Sequence, residues 1–307
     1  MILGEKRSHA RAYSKRFLMF AFRTVIIVGI CFIIFYPIFL KISVSLRSRQ
    51  ELIDNSVIFI PKMPTLEPFK MAYEFMDYSK AFINSFLVCA AVSVLHVISC
   101  TLTGYSFGRF KYPFKNFFFV FAILILMVPP QVLSLPTYIS FRNFLGFIDL
   151  VNKPASLFVL YATANGLKSG LYIYLLMQFF KNMPAEIEEA ALVDGAGFLK
   201  TMWSVMLPNS KTMLATVFLF TFIWQWTDVY YSTMFFKDYS VLSVNLGLLA
   251  TNTNMYITEV LKLPSHPIMQ SQMNDAGSIL IIMPLILLYI FTNRFFVEGI
   301  ERSGIVG

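Results

Sequence analysis

Four acidic residues crowd one short stretch of the chain, between Asn182 and Ala196: Glu186, Glu188, Glu189 and Asp194. Pro184, just before them, suits the first turn of a helix, where a missing N–H costs nothing. The acidic residues then complement the positive end of the helix dipole. Asp194-Gly195 reads as a helix stop, with glycine supplying a positive φ. Ala190 and Ala191 are small enough for another backbone to come close. A second short helix, roughly 197–206, is expected before Leu207-Pro208. On residue types alone this is either an amphipathic pair that merely connects two larger elements or a compact knob built to be gripped.

Two further charges, Lys168 and Asp228, interrupt long apolar runs. Ionisable groups in such runs face a cavity or a partner, or snorkel to an interface. Trp224, Trp226, Tyr230 and Tyr231 surround Asp228, and on one continuous helix Trp224, Asp228 and Tyr231 share a face at i, i+4 and i+7. An aromatic ring beside a carboxylate suits a sugar, whose C–H face packs on the ring while its hydroxyls donate to the acid. The competing reading is an interfacial aromatic belt. Gly166 and Gly170 flank Lys168, so a kink or break is expected there, as in helices that line a transport path. Trp224, Trp226, Tyr231, Asp228 and Lys168 are accordingly the candidates to line such a path.

Other chemistries find no support. His96 has no carboxylate in its run and reads as a packing residue; His9 and His266 carry no signal. No Ser-His-Asp set, carboxylate pair or metal spacing occurs, so no catalytic or metal residue is assigned. Cys31, Cys89 and Cys100 sit in apolar runs without CxxC spacing and read as small core side chains. Gly166-Leu167-Lys168-Ser169-Gly170 lacks the Gly-x4-Gly-Lys-Ser/Thr framework, so the chain has no phosphate loop of that kind for ATP.

The elements that must position these residues follow from composition. Of 307 residues, 57% are hydrophobic and only 14% charged, with 33 Phe and a mean hydropathy of +0.66. Soluble domains run about 45–50% apolar and about 25% charged. An ordinary soluble enzyme is excluded, because so uncharged a surface would aggregate, and so is a disordered chain. Apolar runs at 24–40, 81–108, 116–141, 154–180, 212–236 and 276–293 each approach the roughly 20 residues a bilayer requires. The uncharged stretch 239–258, with its Asn and Thr, reads as a loop outside the membrane. The fold expected is all-α and polytopic, with six transmembrane helices.

An even number of spans puts both termini on one side. Thirteen Lys and Arg fall on that side and ten on the other. Six of those ten lie in the long 41–80 loop, which carries acids as well and constrains topology less than short loops do. Cytoplasmic termini are therefore expected, and the net charge of +8 calls for no nucleic acid. The first run is not followed by a small-x-small cleavage site and is read as a span rather than a signal peptide. The organisation expected is a basic terminus at 1–16, a first span at 17–40, an outer loop at 41–80, a core at 81–297 and a tail at 298–307. The core contains the inner loop 182–208 and the outer loop 237–275.

The pattern Glu189-Ala190-Ala191, then Gly195, Val205 and Leu207-Pro208 resembles the EAA loop of the membrane subunits of ATP-driven (ABC) importers. Asn84-Ser85, Thr103 to Pro113, Pro129-Pro130-Gln131, Trp226-Thr227-Asp228, Pro284 and Phe295 to Gly299 extend the resemblance along almost the whole chain. Together they are similar to the second membrane subunit of maltose-type carbohydrate importers. Thr227 stands where Asn is common in that family, and the tail after Gly299 also departs from it; both bear on the sugar rather than on the transporter class. The resemblance implies a non-enzymatic permease subunit of a prokaryotic cytoplasmic membrane, half of a path for a sugar or oligosaccharide. It further implies a homologous second permease, two ATPase subunits that bind ATP and Mg, and an extracytoplasmic sugar-binding protein reached through the 237–275 loop. Glu188, Glu189, Ala190, Ala191, Asp194, Gly195, Ala196 and Pro208 are the residues it assigns to coupling with the ATPase. The other classes weighed are an importer permease for amino acids, peptides or metals and an ion-coupled secondary transporter. The latter calls for an inverted repeat and midplane acids, and neither is evident.

Overall fold

The structure is a computed structural model. It describes residues 2–54, 59–262, 264 and 266–304, and the side chains among these from Lys15 to Asn293. The chain divides into two compact units, residues 1–72 with 250–279, and 73–249 with 280–307. Among the described residues there is no β-strand, only one isolated bridge between Phe144 and Ile148.

The first unit is dominated by helix α1 (Ile2–Ser45). Its apolar side chains from Phe17 to Ile42 are exposed all round, as suits a helix whose solvent is lipid. Beyond it, the chain folds around Glu51, whose carboxylate accepts the backbone N–H groups of Lys62 (2.7 Å), Met63 (2.8 Å) and Ser48 (3.3 Å). Burial acts to raise this carboxyl. The hydrogen bonds from Met63, Ser48 and Lys62 and the charge of Lys62 outweigh it, and hold the group below the usual range. Gln272 donates to the Val44 and Arg47 carbonyls at 2.9 and 2.7 Å, at the end of α1. Lys41 and Asp275 form an ion pair beside it.

Helix α2 (Glu67–Phe75) leads to α3 (Tyr78–Arg109), which at 1.5 Å per residue is long enough to cross a bilayer. Then come α4 (Lys115–Met127), α5 (Ser134–Arg142), α6 (Ala155–Ala162) and α7 (Ser169–Asn182). α3 and α7 are packed backbone to backbone. A Cβ on Gly104 would lie 2.7 Å from the Leu176 Cβ, and one on Gly108 3.0 Å from the Phe180 Cβ. The four-residue spacing of these glycines is the small-residue seam by which helices pack where water supplies no driving force.

The remaining elements are α8 (Ala185–Val193), α9 (Phe198–Thr201), a π turn at Met202–Met206, α10 (Leu207–Asn209), α11 (Lys211–Trp226), α12 (Tyr230–Phe235), α13 (Leu242–Met255), a second π turn at Tyr256–Val260 and α14 (Pro267–Gly304). Three helical segments among the described residues, in α1, α3 and α14, are long and apolar enough to cross a membrane, and five crossings result if each of two bent pairs counts as one. Residues 115–142 turn through 99° where Pro129 and Pro130 break the helix, and residues 198–226 turn through 78°. The expected span 154–180 is missing from that count because it is divided into α6 and α7, neither long enough alone. Within the 237–275 segment, 239–258 carries a helix, α13, where its polar residues suggested a loop. The segment is tied down: its Asn245 donates to the Met76 carbonyl (2.6 Å), and Ser85 of α3 accepts the Leu242 N–H (2.9 Å).

Candidate functional site

The acidic stretch folds as its residues dictate. Pro184 leads into α8 with Glu186 and Glu188 in the first turn. After Asp194, Gly195 adopts φ +79. Its N–H donates to the Leu192 carbonyl and that of Ala196 to the Ala191 carbonyl, each at 3.0 Å. This pair of bonds is the Schellman closure of a helix, which needs a left-handed residue at that position. Met202 and Met206 then bury themselves among Tyr105, Tyr172 and Phe180. Glu189, Ala190, Asp194 and Pro208 are exposed; Glu188, Ala191 and Ala196 are half-buried. Outward from the same knob point Val193 (87% exposed), Phe198, Leu199 and Trp203.

Glu188 faces inward. Its Oε2 lies 3.3 Å from Arg109 Nε, and the Tyr105 hydroxyl donates to its Oε1 at 2.8 Å. Arg109 also donates to the Met183 carbonyl at 2.8 Å. The two charged side chains are only 11% and 12% exposed. The end of α3 thus holds the start of α8. Arg109 and Tyr105 were not among the residues singled out from sequence; the only hint was the Tyr-Ser-Phe-Gly-Arg run closing the second span.

The second feature is a cavity of about 620 Å³ between the bent α4–α5 pair and the break that separates α6 from α7. Phe121, Leu124 and Ile125 form an apolar wall, and Thr137, Ser140 and Asn165 supply polar atoms. The break is internally satisfied. Ser169 donates to the Gly166 carbonyl at 2.8 Å, and its Oγ lies 2.7 Å from His96 Nε2, whose Nδ1 lies 3.0 Å from Thr221 Oγ1. His96 is fully buried with its ring edge-on to those of Tyr161 and Tyr172. Lys168 ends the break in a left-handed conformation, φ 62. It lines the cavity, and its ammonium stands 5.0 Å from the centroid of the Trp224 ring.

The other path candidates are placed differently. Helix α11 stops at Trp226 and α12 begins at Tyr230, so Trp224, Asp228 and Tyr231 do not share one helical face. Asp228 is buried, and it accepts from the N–H of Tyr231 (3.3 Å), the N–H of Ser232 (2.9 Å) and Ser232 Oγ (3.1 Å), capping the first turn of α12. Trp226 is buried against Phe82 and Phe222 and donates to the Ile281 carbonyl at 3.1 Å. Tyr231 lines the cavity with Lys168, and its neighbour Tyr230 donates to the Pro130 carbonyl at 2.9 Å.

Residues 101–299, which include both the knob and the cavity, match the family described as binding-protein-dependent transport system inner membrane component. The chain belongs to that family. It is therefore a membrane component of a transport system, an ABC importer permease rather than an enzyme. Its relatives include the sn-glycerol-3-phosphate transport system permease protein UgpE of Yersinia enterocolitica serotype O:8, 30% identical over 220 residues, 72% of each chain. UgpE of Brucella abortus (strain 2308) is 28% identical over 286 residues, 91% of this chain and 94% of that one. Among solved structures, a chain of a bacterial ABC transporter involved in the import of the acidic polysaccharide alginate superposes with a TM-score of 0.68. That likeness spans 91% of this chain and 96% of the other at 19% identity, and so concerns the fold.

Proposed function

We propose that this permease forms half of the path by which a sugar, oligosaccharide or related polyol derivative is imported, and that α8, Gly195 and α9 dock on a separate ATPase subunit. The observation that carries the docking assignment is the knob itself. It is closed by the Gly195 turn, tied to α3 through Glu188 and Arg109, and presents Val193, Phe198, Leu199 and Trp203 outward. An exposed apolar patch on a rigid base marks a protein-binding surface. Glu189 offers a carboxylate to a basic residue of the ATPase, and Ala190 and Ala191 admit close contact. Closure of two ATPases around ATP and Mg then moves the knob, and the strut passes that movement to α3 as a rigid-body displacement.

In this reading both termini and the knob are cytoplasmic, and the residues outside the opposite membrane face meet a solute-binding protein. A homologous permease completes the path. Lys168 and Tyr231, with Trp224 beside them, border the solute route, while Asp228 and Trp226 support it from behind. Purification of the chain from a membrane that also holds the ATPase tests this. The reading predicts a stable complex whose ATP hydrolysis rises with the loaded binding protein. Solute uptake by the chain alone, without an ATPase, contradicts it.

A further inference from the structure

We infer that the cavity beside the α6–α7 break selects solutes bearing an anionic group, a carboxylate or a phosphate ester, through the Lys168 ammonium. This rests on the reading of the chain as half of an import path, and it narrows the cargo from carbohydrates in general to acidic sugars or sugar phosphates.

Lys168 is the only charged residue among those lining the cavity. None of the ion pairs among the described residues includes it. Asp228 has its oxygens committed to the first turn of α12. Trp224 is what the ammonium faces, at 5.0 Å. A ring attracts a cation through its quadrupole and fixes its position, but it leaves the charge unneutralised. Lys168 is exposed in this chain and shares the cavity with the apolar side chains of Phe121, Leu124 and Ile125.

The backbone supports the same reading. A lysine at φ 62 is an unfavourable choice where glycine or asparagine is at ease. Lys168 lines the same cavity as Thr137, Ser140 and Asn165. No carboxylate lines the cavity to accept hydroxyl protons, as a site for a neutral sugar would favour. What the site offers is one fixed cation, a half-exposed aromatic face and neutral hydrogen-bonding groups, which together suit an anion carried on a small polyhydroxylated body.

An anionic lipid headgroup carries the same chemistry, and the test separates the two sources. The permease–ATPase complex is placed in nanodiscs of zwitterionic phosphatidylcholine, alone or mixed with phosphatidylglycerol. The probes are glucuronate and glycerol 3-phosphate, against glucose and glycerol. The signal is the part of the tryptophan emission change that Trp224→Phe abolishes. In phosphatidylcholine, the two anionic probes should give saturable changes and the neutral ones none. Lys168→Gln should weaken the anionic probes by about tenfold or more, and Lys168→Arg should retain them. Equal response to neutral probes, no response to any probe, or affinity indifferent to Lys168→Gln overturns the inference, as does a Lys168 dependence seen only with phosphatidylglycerol and not displaced by glucuronate. Any of these in an intact complex leaves the importer reading standing. Failure of the ATPase to associate strikes that reading instead.

Discussion

Glu188 and Arg109 join the coupling knob to the membrane span behind it, and removing either partner should loosen the knob measurably. Both side chains are nearly nine-tenths buried, and the Tyr105 hydroxyl adds a hydrogen bond to the same carboxylate. Breaking a buried pair by deleting one member costs about 3–5 kcal/mol when the other is left fully uncompensated. Here Arg109 keeps the Met183 carbonyl and Glu188 sits at the edge of the fold, so about 2–3 kcal/mol is the expected cost of Glu188→Ala. That loss should fall first on the seating of α8 against α3, because the core around Met202, Met206 and Phe180 meets the pair only at Tyr105. At about 1.4 kcal/mol per factor of ten, local opening of residues 185–193 should rise roughly 25- to 140-fold. Glu188→Gln, which keeps an acceptor for Tyr105, should show a smaller rise. Amide exchange of α8 in the purified complex reads this directly. Solute-stimulated ATP hydrolysis should fall with it while the complex stays assembled. The reversed pair Glu188→Arg with Arg109→Glu should recover part of both. Unchanged exchange in Glu188→Ala, or a reversed pair no better than either single variant, refutes the strut.

Three other outcomes are expected. Gly104→Ala forces its Cβ within 2.7 Å of Leu176, so the purified protein should lose about 1–3 kcal/mol, seen as a lower thermal midpoint in detergent; an unchanged midpoint contradicts the close α3–α7 seam. Asp228→Ala removes the cap of α12 and should cost about 0.5–2 kcal/mol, whereas Asp228→Asn keeps one of the two accepting oxygens, enough for the N–H and Oγ of Ser232, and should lose less. If Asn is as damaging as Ala, the cap is not the role of this carboxyl. Glu51 has a folded-state pKa below its unfolded one, so its contribution is present above the unfolded value and is lost as pH falls through the folded value. Protease resistance of residues 46–54 and 59–66 should therefore decline in that acidic window, and Glu51→Gln should remove the decline; wild-type protein insensitive to that window contradicts the assignment.

Local signals are legible in the sequence where the cause is local. Pro184, the acidic first turn and Gly195 announce a short helix and its stop, and the Gly195 turn closes as glycine chemistry requires. Gly166 and Gly170 anticipated the interruption at Lys168. What failed was continuity. Nothing in Trp224 to Tyr231 breaks a helix by composition, so a shared face was drawn through a segment where the chain turns and Asp228 caps a new helix. Partners distant along the chain were equally invisible. Arg109 is 79 positions from Glu188, and only the packing of α3 on α7 brings the two together. Half-buried Asn245 is illegible in another way, since a polar side chain that ties one element to another has the composition of a loop.

Cross-linking at the knob tests the central claim most directly. With Leu199→Cys or Val193→Cys in the full chain, co-expressed with the ATPase, a short bifunctional thiol reagent should join the two subunits, and the yield should change when ATP is bound. A cysteine in place of exposed Phe147, a loop residue distant in sequence from the knob, should give no such product. A knob that never cross-links to the ATPase in an active, assembled importer contradicts the account.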